Sequence, residues 1–333
     1  MKRVFALAMV LSLLLTGCSV PLGSELDRNT QQVLPTAQPI LNPTAQGSSL
    51  RMVTLYYQYG SEPALSCEAR EIVADNADNL ETNMVRALIS GPSADSRQLK
   101  GVINPHTKLI SVTERNGCYY VTLSEDFLEP IEGMPENWRE DEYWRQLVNT
   151  NQQLAVYSIV NTLLSLGRAH SVQLMVTDGD AGSARRPSRN ELGFYEETGS
   201  QPMDPLKLDK SRILTPDCFA QMIFSAVNEA NWSRVEQYIA KKVPDRSQGR
   251  PEKDALLKEL DKLNFSVLDY SLSSPLVDPA GDMAVVLADL TLLRAEDGQK
   301  VYAFQIPLNF VWENNGWLMS YSSFQQIVKE AKQ

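Results

Sequence analysis

Thr107-Lys-Leu-Ile-Ser-Val-Thr-Glu-Arg-Asn-Gly-Cys-Tyr-Tyr-Val-Thr-Leu123 decides the fold of the first half of this chain. Two β-branched and aromatic runs, Thr107 to Thr113 and Cys118 to Leu123, flank Asn116-Gly117. That dipeptide adopts the positive φ angles of a two-residue hairpin turn more readily than most. Downstream, Leu147, Leu154, Ala155, Ile159, Leu163 and Leu166 share one face of a helix predicted over Tyr143 to Leu166, closed by Gly167. Val172, Leu174 and Val176 then alternate as a strand, and Asp178-Gly179 turns the chain. Upstream, Val53 to Tyr59 has the β-branched and aromatic content of a strand. Asn79 to Ser90 places Met84, Val85, Leu88 and Ile89 at helical spacing before the stop Gly91-Pro92.

The order strand, helix with a terminal Gly-Pro, hairpin, long helix, strand resembles the GerMN domain of sporulation and spore-germination lipoproteins. The stretches that carry the resemblance are Ala87 to Pro92, Ile103 to Val112, Tyr120 to Phe127, Ala155 to Leu163 and Val172 to Gly179. Together they cover about residues 50–180. An acidic insertion around Glu132 to Glu142 departs from the pattern. The resemblance implies a small α/β module of ring-building type that acts in envelope assemblies. In such modules a strand-rich face meets an unlike helical face, a heterologous contact that closes rings.

Polar, turn-rich sequence over 181–211 reads as an interdomain segment that wraps on the first domain through Leu192, Phe194 and Tyr195. From 212 to 333 helices come first. Thr215-Pro216 opens one whose buried face is Phe219, Met222, Ile223, Ala226, Val227 and Ala230. Asn231 caps a second, and Leu256, Leu257, Leu260 and Leu263 mark a third. Strands follow at Phe265 to Leu272, Ala284 to Arg294, Val301 to Trp312 and Trp317 to Tyr321. In the third strand simple alternation points Tyr302, Phe304, Ile306, Leu308, Phe310 and Trp312 one way. Helices packed in a curved antiparallel meander resemble the NTF2-like cone. The fold class is therefore α+β: a GerMN-type module followed by an NTF2-like cone. The polar connection predicts two domains that fold independently.

The N-terminus reads as an export signal. Lys2 and Arg3 precede an apolar run from Val4 to Leu15, shorter than the roughly 20 residues that span a bilayer. Leu15-Thr16-Gly17-Cys18 resembles a bacterial lipobox, which implies cleavage after residue 17 and a lipid on Cys18. An ordinary signal peptide with a coincidental cysteine is the alternative. The stretch 18–49 is rich in Pro, Thr, Gln, Asn and Ser and reads as a disordered tether spanning roughly 30 Å. These readings place the protein outside the cytoplasm, held to the cell membrane by lipid.

The formal charge is −10. A field of that sign disfavours nucleic acid and anionic lipid. Three cysteines follow Cys18: Cys67, Cys118 and Cys218. Cys67 and Cys118 fall in one domain, so a disulfide between them and a pair of buried free thiols are both open. The two histidines, His106 and His170, lie in separate loops. In the cone the acids available as bases are Asp269, Asp282 and Asp289. The acidic run Glu136, Glu140, Asp141 and Glu142 reads as the first turn of a helix. Beside it Trp138 and Trp144 are read either as core packing or as an exposed contact patch, and Arg145 and Gln152 on the helix Tyr143 to Leu166 are candidates for a contact surface. The strand Val53 to Tyr59 is a second candidate, through sheet-edge pairing.

No nucleophile–base motif, no metal-ligand spacing and no phosphate loop is present, and no cofactor is expected. The reading is a non-enzymatic scaffold or binding module that engages envelope proteins or itself. The alternatives are a sensor with a small ligand in the cone and a hydrolase of cell-wall material that uses carboxylates alone.

Overall fold

The computed structural model describes residues 49–74, 79–131, 133–177, 182–195, 199–242 and 249–332. The export signal, Cys18 and the tether up to residue 48 lie outside the described residues, as do Glu132 and the turn at Asp178-Gly179. Gln46–Gln333 form one compact unit.

The first half contains β1 (Ser49–Tyr59), β2 (Leu65–Ala74), α1 (Leu80–Ser90), β3 (Leu99–Lys100), β4 (Leu109–Arg115), β5 (Cys118–Ser124), α2 (Glu142–Leu164), β6 (Ser171–Thr177) and β7 (Ala184–Arg185). They make two sheets, ordered β2-β1-β3 and β4-β5-β6-β7. The expected hairpin turns at Asn116 and Gly117, with φ 55° and 74°. β5 and β6 run parallel, joined by the crossover through α2. Asn79 and Asp141 cap the two helices, each accepting from a backbone N–H one turn in.

β2 was not among the expected strands, because its alternation is broken by Glu68, Arg70 and Glu71. Glu68 is nonetheless buried, at 4% exposure. Its carboxylate accepts from Arg70, from Ser96 Oγ, and from the backbone N–H and Oγ of Ser93. Burial pushes this carboxyl up, and the bonds from Ser96, Ser93 and Arg70 outweigh that and hold it below its ordinary range.

α2 is buried almost all round from Leu154 to Leu164. It packs on both β1 and β6 and against the segment that follows β7. An amphipathic stripe does not describe such a helix, which also buries Ser158, Asn161 and Thr162. Ser158 Oγ donates to Tyr56 O (2.6 Å), and Tyr56 N donates to Thr162 Oγ1 (3.0 Å). The helix thus satisfies the backbone groups of β1 that a further strand would have paired.

The described residues between 182 and 214 are wrapped on the first half through Leu192 and Phe194, whereas Tyr195, also expected in this contact, is exposed. Leu192 and Met203 are buried, Phe194 packs edge-on against Tyr157, and Val172 bridges Leu206. Gly193 has φ +80°, and a Cβ there would sit 2.5 Å from Asn149 O, so glycine lets this segment close onto α2.

The second half runs α3 (Pro216–Asn228), α4 (Trp232–Tyr238), α5 (Lys253–Leu260), β8 (Phe265–Leu272), β9 (Leu276–Val277), β10 (Met283–Arg294), β11 (Lys300–Glu313), β12 (Gly316–Met319) and α6 (Tyr321–Ala331). The sheet order is β12-β11-β10-β8, with β9 on β10. Its concave side is filled by the chain's own side chains: Phe219, Ile223 and Phe224 of α3 meet Val286, Leu308 and Phe310 in one buried cluster. α6 extends the expected elements, with Phe324, Ile327, Val328 and Ala331 on its buried face.

The facing of β11 differs from simple alternation. Ala288 pairs Ile306 but Leu290 pairs Ala303, so Asp289 opposes two residues. Gln305 occupies this bulge at φ 56°. Tyr302 and Phe304 therefore point outward, while Ile306, Leu308 and Phe310 point into the core.

The halves share a well-packed interface. Tyr59 meets Phe219 edge-on at 5.2 Å, and Phe219 meets Tyr238 at 5.9 Å. Glu62 accepts from Arg234 Nη2 and Tyr238 OH, both at 2.8 Å. Leu214 N donates to Leu65 O, Ser66 Oγ to Asn315 O, and Asn315 Nδ2 to Cys67 O.

Candidate functional site

A cavity of about 510 Å³ opens where the 3-10 turn Glu125–Leu128, the start of α2 and the segment after β7 meet. Each wall follows from local chemistry. Ser124 ends β5 and donates to Asp126 Oδ2 (2.8 Å), which sets the turn so that Phe127 enters the core while Glu125 and Asp126 line the cavity. Arg139, just before the Asp141 cap, lies over the Trp138 ring at 4.4 Å. Arg185 on β7 reaches Glu191 with two nitrogens, at 2.7 and 3.1 Å, and Glu125 at 3.5 Å. Glu191 also accepts from Ser188 N (2.7 Å) and Ser188 Oγ (2.8 Å). Tyr195 completes the rim and is exposed.

The electrostatics suit binding better than proton transfer. Burial raises the Glu191 carboxyl, and Arg185 and Ser188 outweigh it, leaving Glu191 below its ordinary range. A group held ionised by a bidentate guanidinium is a poor general acid, and a glycosidase needs one protonated member of its pair.

The candidate contact residues divide. Trp138 and Gln152 line the cavity. Gln152, expected on an exposed face, is buried at 8% exposure and donates to Phe127 O (2.9 Å), because α2 lies between layers and turns this side inward. Trp144 packs edge-on against Tyr143, and Arg145 donates to Arg139 O, both outside the cavity wall. Glu125, Arg185, Glu191 and Tyr195 were not legible as a site, since segments about 60 residues apart bring them together.

Cys67, Cys118 and Cys218 are free thiols. The open alternative of a Cys67–Cys118 disulfide is not realised: Cys67 is on β2 opposite Tyr56, whereas Cys118 starts β5 in the other sheet. Burial, then Glu68, pushes the Cys67 thiol up to about 11. His106 precedes β4, whereas His170 sits against Gly117 in the turn that follows it, so the ladder separates them. The three candidate bases of the cone do not enter it. Asp269 is exposed and accepts from Tyr270 N, Asp289 accepts from Gln305 N, and Asp282 is exposed in a turn. Among the described residues no cluster of His, Cys, Asp and Glu is placed to hold a metal, and no helix is long and apolar enough to cross a membrane.

Residues 54–181 match the Germane family, sporulation and spore germination. That stretch of the first half is thus similar to a GerMN-type module. Among solved structures, the tandem GerMN domains of the sporulation protein GerM from Bacillus subtilis match with TM-score 0.31 and 17% identity, over 50% of this chain and 48% of that one. The chain therefore spans about half the length of that structure. An NTF2-like protein of unknown function from Cytophaga hutchinsonii matches with TM-score 0.22 and 12% identity, over 32% of this chain and 88% of that one. No curated protein matches the chain.

Proposed function

We propose that this protein is a non-catalytic, lipid-anchored binding module of an extracytoplasmic assembly in sporulation or germination, and that it holds its partner at the Arg139–Tyr195 cavity. The carrying observation is the state of that cavity's carboxylates: Glu191 and Glu125 share Arg185, and Asp126 is held by Ser124. Aromatic rings beside paired charges make a recognition surface. The Germane match supplies the context. The lipobox-like Leu15-Thr16-Gly17-Cys18 supports the anchor. The filled cone supports a structural role for the second module, in preference to ligand sensing.

The test has two arms in the native host. Cys18→Ala should abolish metabolic lipid labelling; label that survives the substitution refutes the anchor. Arg139→Glu should weaken partner capture and spore formation, whereas the near-isosteric Asp126→Asn and, at Glu129, a further carboxylate of the cavity wall, Glu129→Gln should change both little. Loss of function in either amide variant, with stability and partner capture intact, would replace this reading with the carboxylate hydrolase.

A further inference from the structure

We propose that the cleft between the two halves of the chain is a binding site for a neutral sugar ring. A cavity of about 260 Å³ opens there, walled on one side by the β1–β2 turn and the loop before β3, and on the other by α4. Local chemistry sets both walls. Tyr59 N donates to Ala64 O (3.2 Å) and Gly60 N to Gln98 O (2.7 Å), which folds the turn and ties it to Gln98. Gly60 takes φ 56°, a left-handed conformation that glycine adopts without steric cost. Across the cleft Asn231 caps α4 by accepting from Arg234 N. Arg234 and Tyr238, one turn apart, face the β1–β2 turn, and Ser233 and Gln237 form the adjoining row. Tyr59 and Tyr238 close the floor, at 4% and 5% exposure. The volume lies just below the roughly 300–1,000 Å³ of sites for drug-sized ligands, which suits one ring and its substituents.

The polar groups define the ligand. Glu62 Oε1 accepts from both Arg234 Nη2 and Tyr238 OH, each at 2.8 Å, while Glu62 Oε2 has no hydrogen-bond partner among the described residues. Burial pushes the Tyr238 hydroxyl up to about 12, so it keeps its proton and donates. Arg234 Nη1 stands 3.7 Å from Glu229, beyond hydrogen-bond distance. The bridge thus leaves a carboxylate oxygen to accept and a guanidinium nitrogen to donate. Neighbouring hydroxyls use both at once, because each hydroxyl donates and accepts. A carboxylate or an ammonium ligand would gain from one member of the bridge and be repelled by the other.

The rest of the lining agrees. Around the bridge the side chains of Ser61, Gln98, Ser233 and Gln237 make no hydrogen bond among the described residues, and each is a neutral group that both donates and accepts. Glu62 and Arg234 are the only charged residues of the lining, and they are paired. In a chain of net charge −10 this is a neutral site. By contrast, the Arg139–Tyr195 cavity carries Glu125, Asp126, Glu129 and Glu191, and the cavity between α5 and α6 carries Glu259, Lys262 and Lys332. Because both halves supply walls, an occupant links them across the Tyr59–Phe219 contact and stabilises the folded unit. The site shares no residue with the Arg139–Tyr195 cavity.

Saturation-transfer NMR on the full chain tests this, with glucose and N-acetylglucosamine as neutral probes, glucuronate as an anionic one and glucosamine as a cationic one. The neutral sugars should bind with Kd about 1 mM, the strength that about a dozen heavy atoms reach, and the charged ones at least about ten-fold more weakly. At about fifty times Kd a neutral sugar should raise the melting temperature by roughly 5 °C. A linked tetramer of N-acetylglucosamine that binds about ten-fold tighter than the monomer identifies a glycan chain as the source, and equal affinity identifies a free sugar. Arg234→Gln should abolish binding. Gln98→Ala combined with Gln237→Ala should weaken it at least about ten-fold with the ligand-free melting temperature unchanged, which reads the site even if Arg234→Gln does not fold. Gln325→Ala, in the cavity between α5 and α6, should leave binding as it is. No transfer from either neutral probe at about 20 mM, charged probes that bind as tightly as glucose, or binding that survives the double variant overturns the proposal.

Discussion

Replacing Gly316 by alanine probes the contact between the two modules with one added methyl group. An alanine Cβ at this position would lie 2.8 Å from Phe219 Cζ and 2.9 Å from both Cε2 and the hydroxyl of Tyr59. Carbon atoms in ordinary contact stay about 3.5 to 4.0 Å apart, so a ring from each module must retreat by more than half an ångström. Neither has free space: Phe219 is fully buried and held between Tyr59 and Tyr238. Overpacking of this kind costs about 1–3 kcal/mol, and two confined rings place the cost in the upper half of that range. In a unit of this size the melting temperature should fall by roughly 4–10 °C. Scanning calorimetry reads the shift, and the fluorescence of Trp317, the next residue, reads the local environment. Phe219→Leu removes the atom nearest the new methyl group. In that background Gly316→Ala should cost less, with a coupling of about 0.5–3 kcal/mol. A cost below about 0.5 kcal/mol, or one that Phe219→Leu leaves unchanged, refutes a tightly packed interface at this point.

Two further outcomes follow from the first module. Glu68 is held below its ordinary value of 4.5, so its contribution to stability is full above that pH and is lost as pH falls through the lowered folded-state value. Glu68→Gln should flatten the acid limb of the stability profile and cost about 1–3 kcal/mol at neutral pH; an unchanged acid limb would show that Glu68 is not held ionised by its partners. For the thiols, alkylation of the unreduced, denatured protein should label Cys67, Cys118 and Cys218, and in the native protein at about pH 8 Cys67 should react more slowly than a free thiol; a mass showing a Cys67–Cys118 bridge refutes the assignment.

What the sequence by itself determined is local. The turn at Asn116-Gly117, the Asn231 cap, the stop at Gly91 and the meander from β8 to β12 depend on residues within a few positions of one another, and they stand where expected. The acidic run ending at Glu142 became a helix start for the same reason. What only the tertiary structure decided rests on partners far along the chain. Glu68 is buried because Ser93 and Ser96 arrive from beyond α1. Gln152 is buried because α2 lies between layers that its own periodicity does not announce. The cavity needs segments around residues 125, 139 and 190 to converge. Register did the same on β11: Gln305 fits a regular strand pattern, and only its pairing with Asp289 on β10 revealed the extra residue that sends Tyr302 and Phe304 outward. Propensity acts between chain neighbours, whereas burial and register are settled by which distant segments the packed core brings together.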